Sequence, residues 1–326
     1  MRTDTTPPER EQRRGLALYL GGIAVCVLLI GIGAVWGNVH YTRTLERSRA
    51  QQAERVRAEC AERGALFVAR IPGNLPATDP QDDAWNVAPV LEVPLQRQAL
   101  TMPMLERASV ARVELQALTD GSAIAFRVSW EDPTQDTHVD AGRFADGVAL
   151  QFPLTRNAAF TMGDRDQLVQ ILHWTALWQL DVDEHFQDVQ DLHPNMWVDL
   201  YWFAEGPPWR LPDSFQDPRS LQWLIGYSAG NPLSDFRRRS PIEELVAEGF
   251  GTLTVQPRAV ATGRGVWSDG RWHVVFSRPL ATDDPLDYRF WLGGSGKVSA
   301  AVWDGSHGNV GGRKHYSNWV DFEVSP

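Results

Sequence analysis

After Gly64 the chain breaks into short runs of alternating apolar and polar residues, separated by Pro, Gly and Asp, and this texture constrains the fold more than any other feature. In Ser122 to Trp130, SAIAFRVSW, the apolar positions Ile124, Phe126 and Val128 recur every second residue, the period of a half-buried strand. Similar runs cover Ala111 to Leu118, Gly147 to Phe152, Gly251 to Val255, Trp272 to Phe276, Val298 to Trp303 and Trp319 to Val324. Many short strands with turn residues between them predict a mainly β fold, an antiparallel β-sandwich or barrel. No strand-helix-strand rhythm, GxGxxG or Walker-type loop is present, which argues against nucleotide-binding folds. From about residue 167 to 223 the pattern gives way to a long Trp-rich insertion, too aromatic for a disordered linker, which either lids a pocket or docks on a partner. Its acidic residues, with His173, His185 and His193, match no metal-ligand spacing and read as a solvated loop.

The N-terminal part obeys different rules. Gly15 to Gly37 carries no charge, and a helix of that length, about 34 Å, crosses the hydrocarbon core of a bilayer. No small-residue cleavage site follows it, so the expectation is an uncleaved transmembrane anchor at 15–37 behind a cytoplasmic tail at 1–14. Arginines flank the span almost evenly, and the short tail and large C-terminal part favour an extracytoplasmic, periplasmic soluble domain. Residues 38–64, rich in helix formers, are expected to continue as a helical stalk carrying Cys60, and residues 65–326 to form the β-sandwich domain.

Composition narrows the chemistry. A net charge of −10 removes the broad positive surface that sequence-independent nucleic-acid binding needs. Two cysteines cannot build a four-thiolate zinc site or an iron–sulfur cluster, and the absence of CxxCH excludes covalent c-type haem. Only two lysines occur, Lys297 and Lys314, so any role needing an amine has two candidates. Fourteen tryptophans suit a protein interface or the wall of a flat aromatic pocket, and equally a core.

Eight segments together resemble one family: AFRVSWEDPTQD (Ala125 to Asp136), FADGVALQFP (Phe144 to Pro153), AFTMGD (Ala159 to Asp164), ILHW (Ile171 to Trp174), AGNPLS (Ala229 to Ser234), RSPIEELVAEGFGTLT (Arg239 to Thr254), DGRWHVVFSRPL (Asp269 to Leu280) and VWDGSHGNVGGRK (Val302 to Lys314). They are similar to the haem-b-binding gamma subunits of the ethylbenzene dehydrogenase type, which serve periplasmic molybdenum oxidoreductases of the dimethyl-sulfoxide-reductase family. The resemblance implies a β-sandwich holding one non-covalent haem b between a methionine, matched by Met162 in TMGD, and a lysine, matched by Lys314 after the glycine pair of GGRK. It also implies partners: a molybdopterin catalytic subunit, an iron–sulfur subunit, and a cytochrome c or membrane electron carrier. The family's usual members are shorter and lack an anchor.

The residues themselves leave choices open. Met162 is one of four non-initiator methionines, and a thioether ligand raises a haem potential, as a high-potential electron carrier requires. An amine binds iron only when deprotonated, which calls for burial. Lys314 follows a run of glycines able to wrap a ligand, whereas Lys297 opens a strand. His315 competes with Lys314, and His173 in ILHW is the next alternative. With both axial positions filled the chain would be a non-catalytic electron-transfer subunit. The competing expectation is a haem-free module that binds carbohydrate or another ligand through surface tryptophans.

Overall fold

The computed structural model describes Leu20, Trp36, residues 38–196, Val198, Tyr201, Phe203 and residues 218–326. Two compact units are distinguished, residues 1–55 and 56–326. The expected anchor at 15–37 lies outside the described residues apart from Leu20 and Trp36. Among the described residues no helix is long and apolar enough to cross a membrane. Residues 38–63 are helical. Cys60 is 1% exposed, and burial raises its thiol pKa, so it is closed to pairing with another chain.

Among the described residues the second unit is built on fourteen strands: β1 (Leu66–Arg70), β2 (Leu91–Pro94), β3 (Gln96–Arg97), β4 (Arg112–Thr119), β5 (Ala123–Glu131), β6 (Gly147–Pro153), β7 (Val169–Thr175), β8 (Ile242–Ala247), β9 (Thr254–Val255), β10 (Thr262–Ser268), β11 (Arg271–Pro279), β12 (Ser295–Trp303), β13 (His315–Tyr316) and β14 (Val320–Val324). Their order is β10-β11-β5-β4-β1-β14-β12-β6-β7-β8-β9, with β2 beside β4 and β13 between β12 and β3. The expectation of a purely antiparallel arrangement is corrected here. β1 lies parallel to both neighbours, β4 and β14, so the sheet is mixed. That strand enters from the 38–63 helix and pairs with the far end of the chain, a long-range choice that local alternation does not encode.

Two other expectations shift. The Trp-rich excursion begins after Thr175 rather than near 167, because Val169–Thr175 pairs with β6 on one side and β8 on the other. Of Gly251 to Val255 only Thr254 and Val255 pair, so the glycine-rich start of that segment is a turn.

One large core draws residues from strands far apart in the order. Phe126 of β5 meets Phe152 of β6 with ring centroids 5.4 Å apart, and Trp174 of β7 meets Trp272 of β11 at 4.9 Å. Trp85, Trp130, Trp174 and Trp272 are all under 2% exposed, which accounts for four of the tryptophans as core filler. Burying each such ring is worth about 1.5–3 kcal/mol.

Candidate functional site

The strands β6, β7 and β12 use both faces. Val148, Leu150, Phe152, Leu172, Trp174 and Val302 enter the core. The alternate positions Gly147, Ala149, Ile171, His173, Ala301 and Trp303 face the other way and line a cavity of about 930 Å³. Ladder register puts Ala301, Ala149 and His173 in one row across the three strands. Small side chains in that row leave space that larger ones would fill. The volume falls at the upper end of the range of ligand cavities.

The loop after β6 brings Met162 to this cavity. Met162 holds φ +73°, a left-handed conformation that costs a non-glycine residue about 1–2 kcal/mol and persists only where its surroundings impose it. Gly163 follows at φ +74°, and a side chain there would strike the Gln167 carbonyl at 2.3 Å. Trp319, just before β14, donates from Nε1 to the Ala158 carbonyl at 2.9 Å, and Gln151 of β6 donates to that of Phe160 at 2.9 Å, fixing the loop at two points. Phe160 stacks on Tyr316 at 5.8 Å.

Lys314 approaches from the opposite loop. Gly312 passes so close to Pro103 that a side chain would meet its carbonyl at 2.8 Å, and Gln98 donates to the carbonyls of Thr101, Pro103 and Gly312, tying the segments together. The Lys314 Nζ lies 3.4 Å from the Met162 Sδ and 5.2 Å above the Trp303 ring. No carboxylate makes an ion pair with it among the described residues. The residue is half-buried by area because it lines an open cavity, yet desolvation of its amine brings its pKa down to about 8. A thioether and an amine that releases its proton readily are soft to borderline donors, suited to a transition metal and poorly suited to calcium or magnesium.

The rival positions fare differently. His315 is wholly buried and points away, since successive strand residues face opposite sides. Its Nε2 accepts from the backbone N–H groups of Ser109 and Val110 at 2.9 and 3.2 Å, and Nδ1 lies 3.4 Å from the Val302 carbonyl, so neither nitrogen is directed at the cavity. Lys297 is an exposed partner of Asp321 at 2.6 Å. His173 does line the cavity, with Nδ1 3.4 Å from Glu243 and its ring edge-on to Trp178 and Trp303. His185 and His193 pair with Asp191 and Asp140. Phe160, Tyr316 and Trp303 also shape the cavity, as does Trp178 of the Trp-rich insertion, and nothing in the sequence marks Phe160 or Tyr316 for that place. For Trp303 the two-residue period of β12, with Ala301 before it, carried the signal.

A family model described as ethylbenzene dehydrogenase matches residues 82–200 and 248–315, more than half of the chain and both loops that form this cavity. The chain belongs to that family. Among relatives of the family, a protein of Haloferax mediterranei named for the haem subunit of a respiratory nitrate reductase is 25% identical over 76% of this chain and 68% of its own length. The chlorate reductase gamma subunit of Ideonella dechloratans is 24% identical over 73% of this chain and 75% of its own. The dimethylsulfide dehydrogenase gamma subunit of Rhodovulum sulfidophilum is 22% identical over 76% of each. Among solved structures, a family 9 carbohydrate-binding module from Caldicellulosiruptor kristjanssonii in complex with glucose aligns with a TM-score of 0.36 and 8% identity over 79% of this chain and 94% of that one.

Proposed function

We propose that this ethylbenzene-dehydrogenase-family chain is a haem b electron-transfer subunit of a molybdenum oxidoreductase complex, with Met162 and Lys314 as the axial ligands of one non-covalent haem. The observation that carries the reading is the convergence of the Met162 sulfur and the Lys314 nitrogen, 3.4 Å apart, from two separate loops at one apolar cavity. Relatives named as haem-containing or gamma subunits of nitrate reductase, chlorate reductase and dimethylsulfide dehydrogenase support it.

A bound haem supplies one-electron exchange. This chain's own residues set the conditions. Desolvation keeps the Lys314 amine easy to deprotonate. The thioether of Met162 favours the ferrous state and a high potential. The alanine row of β6 and β12 admits a flat ring, with Phe160, Tyr316 and Trp303 offering aromatic faces. In this reading the sheet is a β-sandwich whose halves share the Phe126–Phe152 core. Residues 15–37 anchor it in the membrane, with the domain in the periplasm beside an iron–sulfur subunit and a molybdopterin catalytic subunit. Electrons pass to or from a cytochrome c or a membrane carrier.

The test is the visible spectrum of the full-length protein produced with haem available. A low-spin ferric spectrum that gives a sharp α band on reduction is expected. A folded, colourless protein that takes up no added haemin contradicts the proposal.

A further inference from the structure

Three of the quoted segments each contribute one buried aspartate to a second place in the domain: Asp132 from WEDPTQD, Asp146 from FADGVALQFP and Asp304 from VWDGSHGN. All three are 5% exposed or less, and one carboxylate oxygen from each lies within 4.8 Å of the others. Their placement follows from the strands. Asp132 directly follows β5, Asp146 directly precedes β6, and Asp304 directly follows β12. Trp303 pairs with Gly147 as the last rung between β12 and β6, so Asp304 and Asp146 lie just beyond the end of that ladder, where the strand ends bring the two acids close.

Protein groups satisfy this cluster only in part. Asp146 accepts from the backbone N–H groups of Asp136 and Gly305 at 2.8 and 2.9 Å and from the Trp272 indole at 3.0 Å. Asp304 accepts from Ser306 at 2.7 Å and lies 2.7 Å from Nδ1 of the exposed His307. Asp132 uses one oxygen on Thr134, while its other oxygen, Oδ2, is buried with no hydrogen-bond partner. The Trp130 indole N–H lies beside this carboxylate and eases its burial as a donor, although it stands outside strict hydrogen-bond geometry. Among the described residues no lysine or arginine pairs with any of the three. Burial, with the neighbouring acid, pushes Asp146 up to about 7 and Asp132 up to about 6, the response of carboxylates crowded together out of water.

We propose that Asp132, Asp146 and Asp304 bind a calcium ion that ties the ends of β5, β6 and β12 together. The donors are all carboxylate oxygens, hard ligands that suit calcium, which accepts irregular oxygen cages and carboxylates in one- or two-oxygen mode. The unpartnered Oδ2 of Asp132 supplies a ligand atom at no cost in existing hydrogen bonds. The ion cancels repulsion among the three carboxylates and joins β5 to β6 and β12, from which β4, β1 and β14 separate it in the strand order. Because Gly147 and Trp303, the chain neighbours of Asp146 and Asp304, line the cavity, the ion also holds the cavity's edge.

The test uses the full-length protein stripped with EGTA and unfolded by urea with and without calcium chloride at matched ionic strength. Calcium at 100 times its dissociation constant should raise the folded-to-unfolded ratio about 100-fold, and Asp132→Asn should remove that response. Without calcium, Asp132→Asn should be at least as stable as the parent, because it discharges a crowded carboxylate whose Oδ2 bonds to nothing, whereas a purely structural carboxylate would lose stability. No calcium-dependent rise in the parent, or an equal rise in Asp132→Asn, overturns the proposal. Elemental analysis of the parent after equilibration with trace calcium gives an independent reading: one calcium per chain is expected, and none overturns the site.

Discussion

Arg278 and Lys314 are both cations drawn inside the same domain, and the protein treats them in opposite ways. Arg278, 2% exposed, places Nη2 2.9 Å from the equally buried Asp287 and donates from Nη1 to Gln170. Asp287 in turn accepts from Gln170 at 2.7 Å, from Gln256 at 2.9 Å and from Thr282, and Glu244 joins through Gln170 and the backbone N–H groups of Val260 and Ala261. Lys314 has neither an acid nor such a network; its nearest companions are a sulfur and an indole face. A buried cation with a partner is architecture. A buried amine without one is held ready to shed its proton, which is the condition for binding a metal.

The largest effect that tests this contrast is on stability. Arg278→Leu leaves Asp287 buried and unpaired, so it should cost about 3–5 kcal/mol of unfolding free energy in urea titrations. Replacing Asp287 as well should recover part of that loss, since an apolar pair leaves no orphaned charge. Lys314→Leu, measured in the same way on haem-free protein, should cost nothing or stabilise the fold, because it removes a desolvated charge with no ion-pair partner. Equal losses for the two leucine variants would break the distinction.

His273 offers a smaller, pH-dependent version of the comparison. Burial first, then the charges of Arg127 and Arg271, lower its pKa, and its Nδ1 lies 2.8 Å from Ser129 Oγ. The unfolded chain therefore protonates this residue at a higher pH than the folded domain does. The stability it contributes is complete above the ordinary histidine value of 6.5 and falls away as pH drops through the lowered one. His273→Asn should flatten the decline of urea midpoints between about pH 7.5 and 5 relative to the parent. A slope unchanged by the substitution would show that histidine burial is energetically idle here.

The unequal legibility of these regions in the sequence has physical causes. Strand alternation exposes half-buried strands, so Ala123–Glu131 and Ser295–Trp303 can be read from Ile124, Phe126, Val128 and from Val298 onward. The same alternation separates Lys314 from His315 once a strand is drawn there. The parallel placement of β1 cannot be read this way, because it depends on pairing with β14 near the other end of the chain. Arg278 and Asp287 look like surface charges in one dimension, and only the fold brings them to Gln170, over a hundred residues away in sequence. Met162 was legible through the resemblance of TMGD, but its left-handed backbone was not, since such geometry ordinarily announces itself as glycine or asparagine.

The ligand pair is tested most directly by the near-infrared magnetic circular dichroism of the ferric, haem-loaded, full-length protein, in which the energy of the porphyrin-to-iron charge-transfer band reports the two axial ligands. A band characteristic of methionine with an amine is predicted, as the convergence of Met162 and Lys314 on one cavity implies. A bis-histidine or histidine–methionine band would place His173 or another imidazole on the iron and contradict the assignment of Met162 and Lys314.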